Sequence, residues 1–321
     1  MEIEALQARR EAHRRAIRRR RRQAAGLTVV VVAAVAIVLA ARSGGASKPE
    51  GRDAGSAHSS ARARPSDGRP TQTRAGATPP SGRPGTAPVP ILMYHVIAAP
   101  PPGAPFPGLY VTPSEFAAQM QALKSAGWHA VTLDQVEAYW REGVPLGGGK
   151  PIVLSFDNGY QSQYSQALPV LRRLGWVGDE NIQLTGLPPS QGGLSQTQVR
   201  GLLSAGWELD TQGFSHADLI TLDSQELRYQ VAGARAVLKR RYDVPVDWFC
   251  YPSGHYDATV IAAVKAAGYT GSTTVVPGWA HPQDDPYRLH RLRVLGGTTP
   301  EQLLTLIAGI RDDPPAPPAY S

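Results

Sequence analysis

The sequence predicts an α/β barrel of parallel strands, and three observations carry that prediction. From Val89 onward, short apolar runs of strand length alternate with segments of helical periodicity. Strands alternating with helices imply parallel βα units, and so many of them within about 230 residues favour closure into a barrel over an open sheet. Asp157, Gln212, His216 and His255 each follow the end of a predicted strand, which is where barrels carry their chemistry.

The first 87 residues belong to a different kind of structure. Residues 9–22 hold nine arginines, and the 18 residues Ala24 to Ala41 hold no charge. That apolar run is close to the minimum that spans a bilayer as a helix. The arginine excess on its N-terminal flank places segment 1–23 in the cytoplasm and everything after Arg42 outside. The reading is a single-pass signal anchor at the plasma membrane. A cleaved signal peptide competes, because Ala40 and Ala41 are small, but the length of the run and its heavy basic head favour the anchor. Residues 42–87 are Gly, Ser, Pro, Ala and Arg with almost no large apolar side chain, the composition of a disordered linker.

The net charge of +7 is misleading for the folded part. Seventeen of the 33 Lys and Arg precede residue 88, against six of the 26 Asp and Glu. The remainder therefore has 16 basic and 20 acidic side chains, a net −4, and nothing in it argues for nucleic acid. Cys250 is the single cysteine, which excludes an internal disulfide.

The predicted elements of 88–321 follow in order. Pro90 to His95 is a first strand, and a helix over Pro113 to Ala126 starts on Thr112 as cap, with Phe116, Met120 and Leu123 at helical spacing. Trp128 to Leu133 is a strand, Asp134 to Arg141 a helix, and Pro151 to Phe156 the strand that delivers Asp157. Helices are then predicted over Gln163 to Leu174, Thr197 to Ala205, Ser224 to Arg241, Ala258 to Ala267 and Pro300 to Ile310. The interleaved strands are Asn181 to Leu184, Trp207 to Thr211, Trp248 to Tyr251, Ser272 to Val276 and Arg291 to Val294.

Several ordered motifs carry a family resemblance. The segments PILMYH (90–95), LSFDNGY (154–160), GWELDTQGFSHADL (206–219), FCYPSGHYD (249–257) and RLHRLRV (288–294) resemble the polysaccharide deacetylases. These are the NodB-homology or carbohydrate esterase family 4 proteins, and the resemblance runs across roughly residues 88 to 300. It implies a deformed (β/α)7 barrel and metal-dependent removal of acetyl groups from envelope or extracellular polysaccharide. Asp157 matches the family's catalytic base, and Asn158 stands where a metal-ligating Asp is usual. His216 matches the second histidine of the metal motif, and Gln212, four residues earlier, replaces the first. The third motif usually has an arginine before its proline, where this chain has Cys250-Tyr251-Pro252-Ser253-Gly254. His95 matches the first-strand histidine of the Y-H branch and is expected as general acid.

The resemblance thus implies catalytic Asp157 and His95, a groove formed by Tyr251, Pro252, Gly254 and His255, and a metal site of His216, Asn158 and Gln212. A divalent metal, zinc or similar, is the family's cofactor. Two amide oxygens and one imidazole should weaken its binding by orders of magnitude. The expected function is a membrane-anchored, extracytoplasmic hydrolase that deacetylates envelope polysaccharide or peptidoglycan. The alternative is a pseudoenzyme that binds wall glycan or a partner through the same groove.

Overall fold

The computed structural model describes residues 82–187 and 192–312. The basic segment 1–23, the expected membrane helix 24–41 and the linker up to Ser81 lie outside the described residues. The chain divides into Met1–Ala77 and Thr78–Ser321, and only the second unit is described here. No helix among the described residues is long and apolar enough to cross a membrane.

Eight strands form one sheet: β1 (Ile91–Tyr94), β2 (Trp128–Val131), β3 (Lys150–Asn158), β4 (Asp179–Ile182), β5 (Glu208–Thr211), β6 (Trp248–Cys250), β7 (Gly271–Thr273) and β8 (Leu292–Arg293). Their order is β7-β6-β5-β4-β3-β1-β8, with β2 also against β3, and every strand pairing is parallel. Just ahead of β8, Leu289 N–H donates to the Ser272 carbonyl and Thr274 N–H to the Leu289 carbonyl, while β8 itself pairs with β1. The sheet therefore curls until its two edges share one strand-like segment. This parallel, curled α/β arrangement is consistent with the deformed (β/α)7 barrel that the motifs imply.

Helices cover the outside: α1 (Pro113–Ser125), α2 (Leu133–Glu142), α3 (Leu168–Leu174), α4 (Gln196–Ser204), α5 (Ser224–Arg228), α6 (Ala234–Tyr242), α7 (Ala258–Ala266) and α8 (Pro300–Asp312). Their boundaries follow from side-chain chemistry. Thr112 with Glu115, Thr132 with Gln135 and Ser195 with Gln198 close capping boxes, each satisfying otherwise unpaired first-turn N–H groups. Two of the expected helices are continuous, but each contains a π-turn: Gln163–Ala167 leads directly into α3, and Tyr229–Gly233 joins α5 to α6.

The layer between sheet and helices is apolar and aromatic. Phe156 on β3 stacks on Trp207 at 4.8 Å and on Tyr94 at 5.7 Å, and Phe116 of α1 meets Tyr94 edge-on at 5.2 Å. Gly178 is required here, since a Cβ would lie 2.9 Å from Phe156 and 3.0 Å from Trp207.

The opposite face of the central strands is polar. Period-two alternation, with the register between neighbours, sets Ser155, Asp179 and Glu208 in one row and Asp157, Asn181 and Asp210 in the next. The strand that was expected at Asn181 to Leu184 begins at Asp179. It ends at Ile182, two residues before the expected end, and its first two residues, Asp179 and Glu180, are acidic yet buried.

Candidate active site

Asp157, the last residue but one of β3, opens the site. The backbone turns sharply after it, with Asn158 at φ 80° and Gly159 at φ 87°, conformations that Asn tolerates and Gly favours. Both carboxylate oxygens are engaged. Arg291 donates to Oδ1 at 2.7 Å and to Oδ2 at 2.9 Å, and Asn181 Nδ2 donates to Oδ1 at 3.0 Å. Asp157 and Arg291 are each about 1% exposed. Burial opposes ionisation of Asp157, but the charge and paired hydrogen bonds of Arg291 outweigh it and hold the pKa down at about 2.

Arg291 is the residue that sequence reasoning missed. The arginine absent before Pro252 has a functional counterpart 134 residues from Asp157, in the segment that leads into β8. Cys250 stands near the vacated position, with its Sγ 3.3 Å from Arg291 Nη2 and 3.6 Å from Asp157 Oδ2. Burial, with Asp157 beside it, keeps the thiol protonated, its pKa pushed up to about 12. The available signal was RLHRLRV itself, a strand segment with arginines at alternating positions 291 and 293.

His95 follows β1 with Nε2 3.9 Å from Asp157 Oδ2, and its Nδ1 is buried without a partner. Burial lowers its pKa to about 4, and Arg291, Arg293 and His216 add to that lowering while Asp157 opposes it. Burial likewise lowers the pKa of His216.

The two π-turns hold the loops of this site. Gln163, in the first, donates through Nε2 to the carbonyls of His95 at 2.9 Å and Asp157 at 2.8 Å, joining the ends of β1 and β3. Gln230, in the second, accepts from Phe214 N–H and Ser215 N–H through Oε1 and donates to Ser215 Oγ, fixing the approach to His216. The extra residue of a π-turn re-aims a side chain that an unbroken helix would point elsewhere.

A cavity of about 410 Å³ joins these residues, with His95, Asp157, Asn158, Gln212, His216, Tyr251 and Gly254 in its wall. Pro252 is buried beside Gly254 and does not line the cavity. His255 also lies off the wall, with Nδ1 3.2 Å from Asp218 Oδ1.

The donors expected to hold a metal fit one poorly. Asn158 Nδ2 donates to Gln183 Oε1 at 2.8 Å, Gln212 contributes a buried amide oxygen, and His216 contributes one imidazole. Asp157 could add the missing anionic ligand only by giving up Arg291. Zinc-like cations need imidazole, thiolate or carboxylate ligands. Among the described residues, no three His, Cys, Asp or Glu are grouped to hold an ion. Asn158→Asp with Gln212→His is therefore expected to raise zinc affinity by at least about two orders of magnitude, measured by chelator competition. Unchanged affinity would show that the backbone, and not the donor chemistry, excludes the metal.

Residues 147–272 match the family model described as polysaccharide deacetylase. Over those residues the chain is similar to the polysaccharide deacetylases. The YxkH protein of Bacillus subtilis, whose name assigns it provisionally to the polysaccharide deacetylases, is 26% identical over 212 residues, 66% of this chain and 73% of that protein. The Streptococcus pyogenes deacetylase PplD, solved in complex with acetate, superposes with a TM-score of 0.63 at 25% identity, covering 69% of this chain and 99% of that one. A polysaccharide deacetylase from Bacillus cereus gives 0.61 at 26% identity, covering 69% of each chain. The family match spans β3 to β7, so it includes Asp157, Gln212, His216 and Cys250 but neither His95 nor Arg291.

Proposed function

We propose that the chain is a membrane-anchored, extracytoplasmic hydrolase that removes acetyl groups from cell-envelope polysaccharide or peptidoglycan. The supporting observation is His95 beside Asp157 in a cavity at the strand ends of a deacetylase domain. The apolar run 24–41, with its arginine-rich flank, supports the anchor and the orientation.

The geometry favours a division of labour different from an Asp157 base and a His95 acid. With a pKa near 2 and both oxygens bound to Arg291, Asp157 is a weak proton acceptor. His95 is neutral at physiological pH and able to accept. In this mechanism water attacks the acetyl carbonyl as His95 takes its proton, and Asp157 stabilises the resulting imidazolium from 3.9 Å. His95 then returns that proton to the leaving nitrogen as the carbon–nitrogen bond breaks. Gln212 Oε1, buried and unpartnered, offers an acceptor for the acetamide N–H.

The test is acetate release from an acetylated glycan by the full-length chain, with and without added zinc, cobalt or nickel. Release is expected to fall at least about a hundredfold in His95→Gln. The misfit between the donor set and a metal favours a second reading, in which the groove binds glycan without turnover. No acetate under any condition, with glycan binding that survives Asp157→Asn, would replace the first reading by the second.

A further inference from the structure

Two rim residues of the cavity carry no step of the chemistry above, although one of them, Arg293, adds to the lowering of the His95 pKa. The first is Phe106, which is 76% exposed, the most exposed large apolar side chain among the described residues. It is also in the left-handed conformation at φ 57°, ψ 57°, between Pro105 and Pro107. A bulky residue before proline is disfavoured there. The loop holds it there. Leu109 N–H donates to the Phe106 carbonyl at 3.0 Å, and Val96 N–H to the Leu109 carbonyl at 3.2 Å, tying the turn to the end of β1. An aromatic face kept exposed and strained at a cavity mouth suits a ligand with an apolar face of its own.

The second is Arg293, the last residue of β8, paired in register with Met93 and two residues along from His95 on the neighbouring strand. It is exposed, lines the same cavity, and forms no ion pair among the described residues. Asp157 is the only carboxylate in the described cavity wall, and Arg291 neutralises it from within. The groove therefore has an uncompensated positive charge at its mouth, although the folded part as a whole is net acidic.

We propose that the groove takes an acetylated glycan that bears anionic oxygens, a carboxylate or a phosphate, with a sugar face on Phe106 and the anionic group on Arg293. This rests on the reading of the groove as a polysaccharide site and specifies its substrate class. A guanidinium matches the geometry of either group through paired N–H donors.

The experiment compares binding to the full-length chain of three acetylated oligosaccharides of equal length: one neutral, one with uronic acid carboxylates, one with phosphate. At least one anionic probe is expected to bind about tenfold tighter than the neutral one at low salt, and to lose that advantage near 1 M salt. Whichever binds tighter identifies the group. Arg293→Gln should abolish the advantage and leave neutral binding unchanged, whereas Phe106→Ala should weaken all three alike. Equal affinity for all probes, or an equal loss for all in Arg293→Gln, overturns the anionic assignment alone. Binding of none overturns the polysaccharide reading with it.

Discussion

Replacing Arg291 with methionine is expected to cost the domain about 3 to 5 kcal/mol of stability at neutral pH, the usual penalty for stranding one member of a buried ion pair. The guanidinium is essentially without solvent contact and is held by Asp157, Ser155 Oγ at 3.1 Å and the Thr274 carbonyl at 2.8 Å. Without it, burial dominates Asp157, whose carboxylate keeps only Asn181, a protonated thiol and the His95 imidazole 3.9 Å away. The loss should depend on pH in a defined way. In the wild type the folded pKa, about 2, lies below the unfolded value near 4, so the pair's contribution is present above pH 4 and disappears as pH falls through 2. In the variant burial raises the Asp157 pKa, so the gap from wild type should narrow as pH falls from that raised value toward the wild-type value of about 2. Adding Asp157→Leu should recover much of the loss, because an apolar pair of similar volume replaces a buried ion pair at little cost. Urea unfolding near pH 7 and pH 3.5 reads both effects. A single variant as stable as the wild type at neutral pH would mean that the pair is not closed in solution.

The same pair shows what the sequence disclosed and what it hid. Asp157 was legible because an apolar run ending in an acid before Asn-Gly has few structural readings, and the fold class was legible because strand and helix periodicities alternate over the whole folded part. Arg291 was not, because its meaning depends on the sheet curling until the segment before β8 returns beside β7 and β1, a closure that no local pattern encodes. Gln163 and Gln230 were hidden for a different reason. Their π-turns have ordinary helical periodicity in sequence, and only the extra backbone residue aims the two amides at the site. The polar rows inside the sheet reverse the expectation that buried strand positions are apolar, and β4 begins before its expected start.

Those rows give the second large effect: the domain should lose stability as pH rises from about 5 to 9, opposite to the trend that Asp157 imposes in acid. Asp179, Glu208 and Asp210 are drawn together by the register of β4 and β5, and no cation pairs with any of them among the described residues. One oxygen of each accepts a backbone N–H, from Leu133, Asp134 and Trp248 respectively, at 2.9 to 3.0 Å. The other oxygen of each is buried without a resolved partner, as expected where a carboxylic acid keeps its proton. Burial raises all three pKa values; the charge of Glu208 adds to it for Asp179 and Asp210, and that of Asp134 adds to it for Glu208, which reaches about 8. The folded chain therefore holds protons that the unfolded chain has released by neutral pH. The stabilisation is complete below the unfolded values near 4 and is lost as pH rises through the folded ones, with a slope of up to about 1.4 kcal/mol per pH unit per group. Together with Asp157 this predicts a stability maximum on the acid side of neutrality, which His95, its pKa lowered to about 4, moves upward by adding stability as pH rises from 4 toward 6.5. Glu208→Gln keeps an acceptor for the Asp134 N–H and adds a donor for Asp210, so the variant should match the wild type near pH 5 and exceed it by about 1 to 3 kcal/mol near pH 9. Denaturant midpoints across that range decide the matter. Stability that rises toward pH 9, or a slope unchanged by the amide, would mean that these carboxyls ionise in place and that the interior of the barrel admits water or a counter-ion.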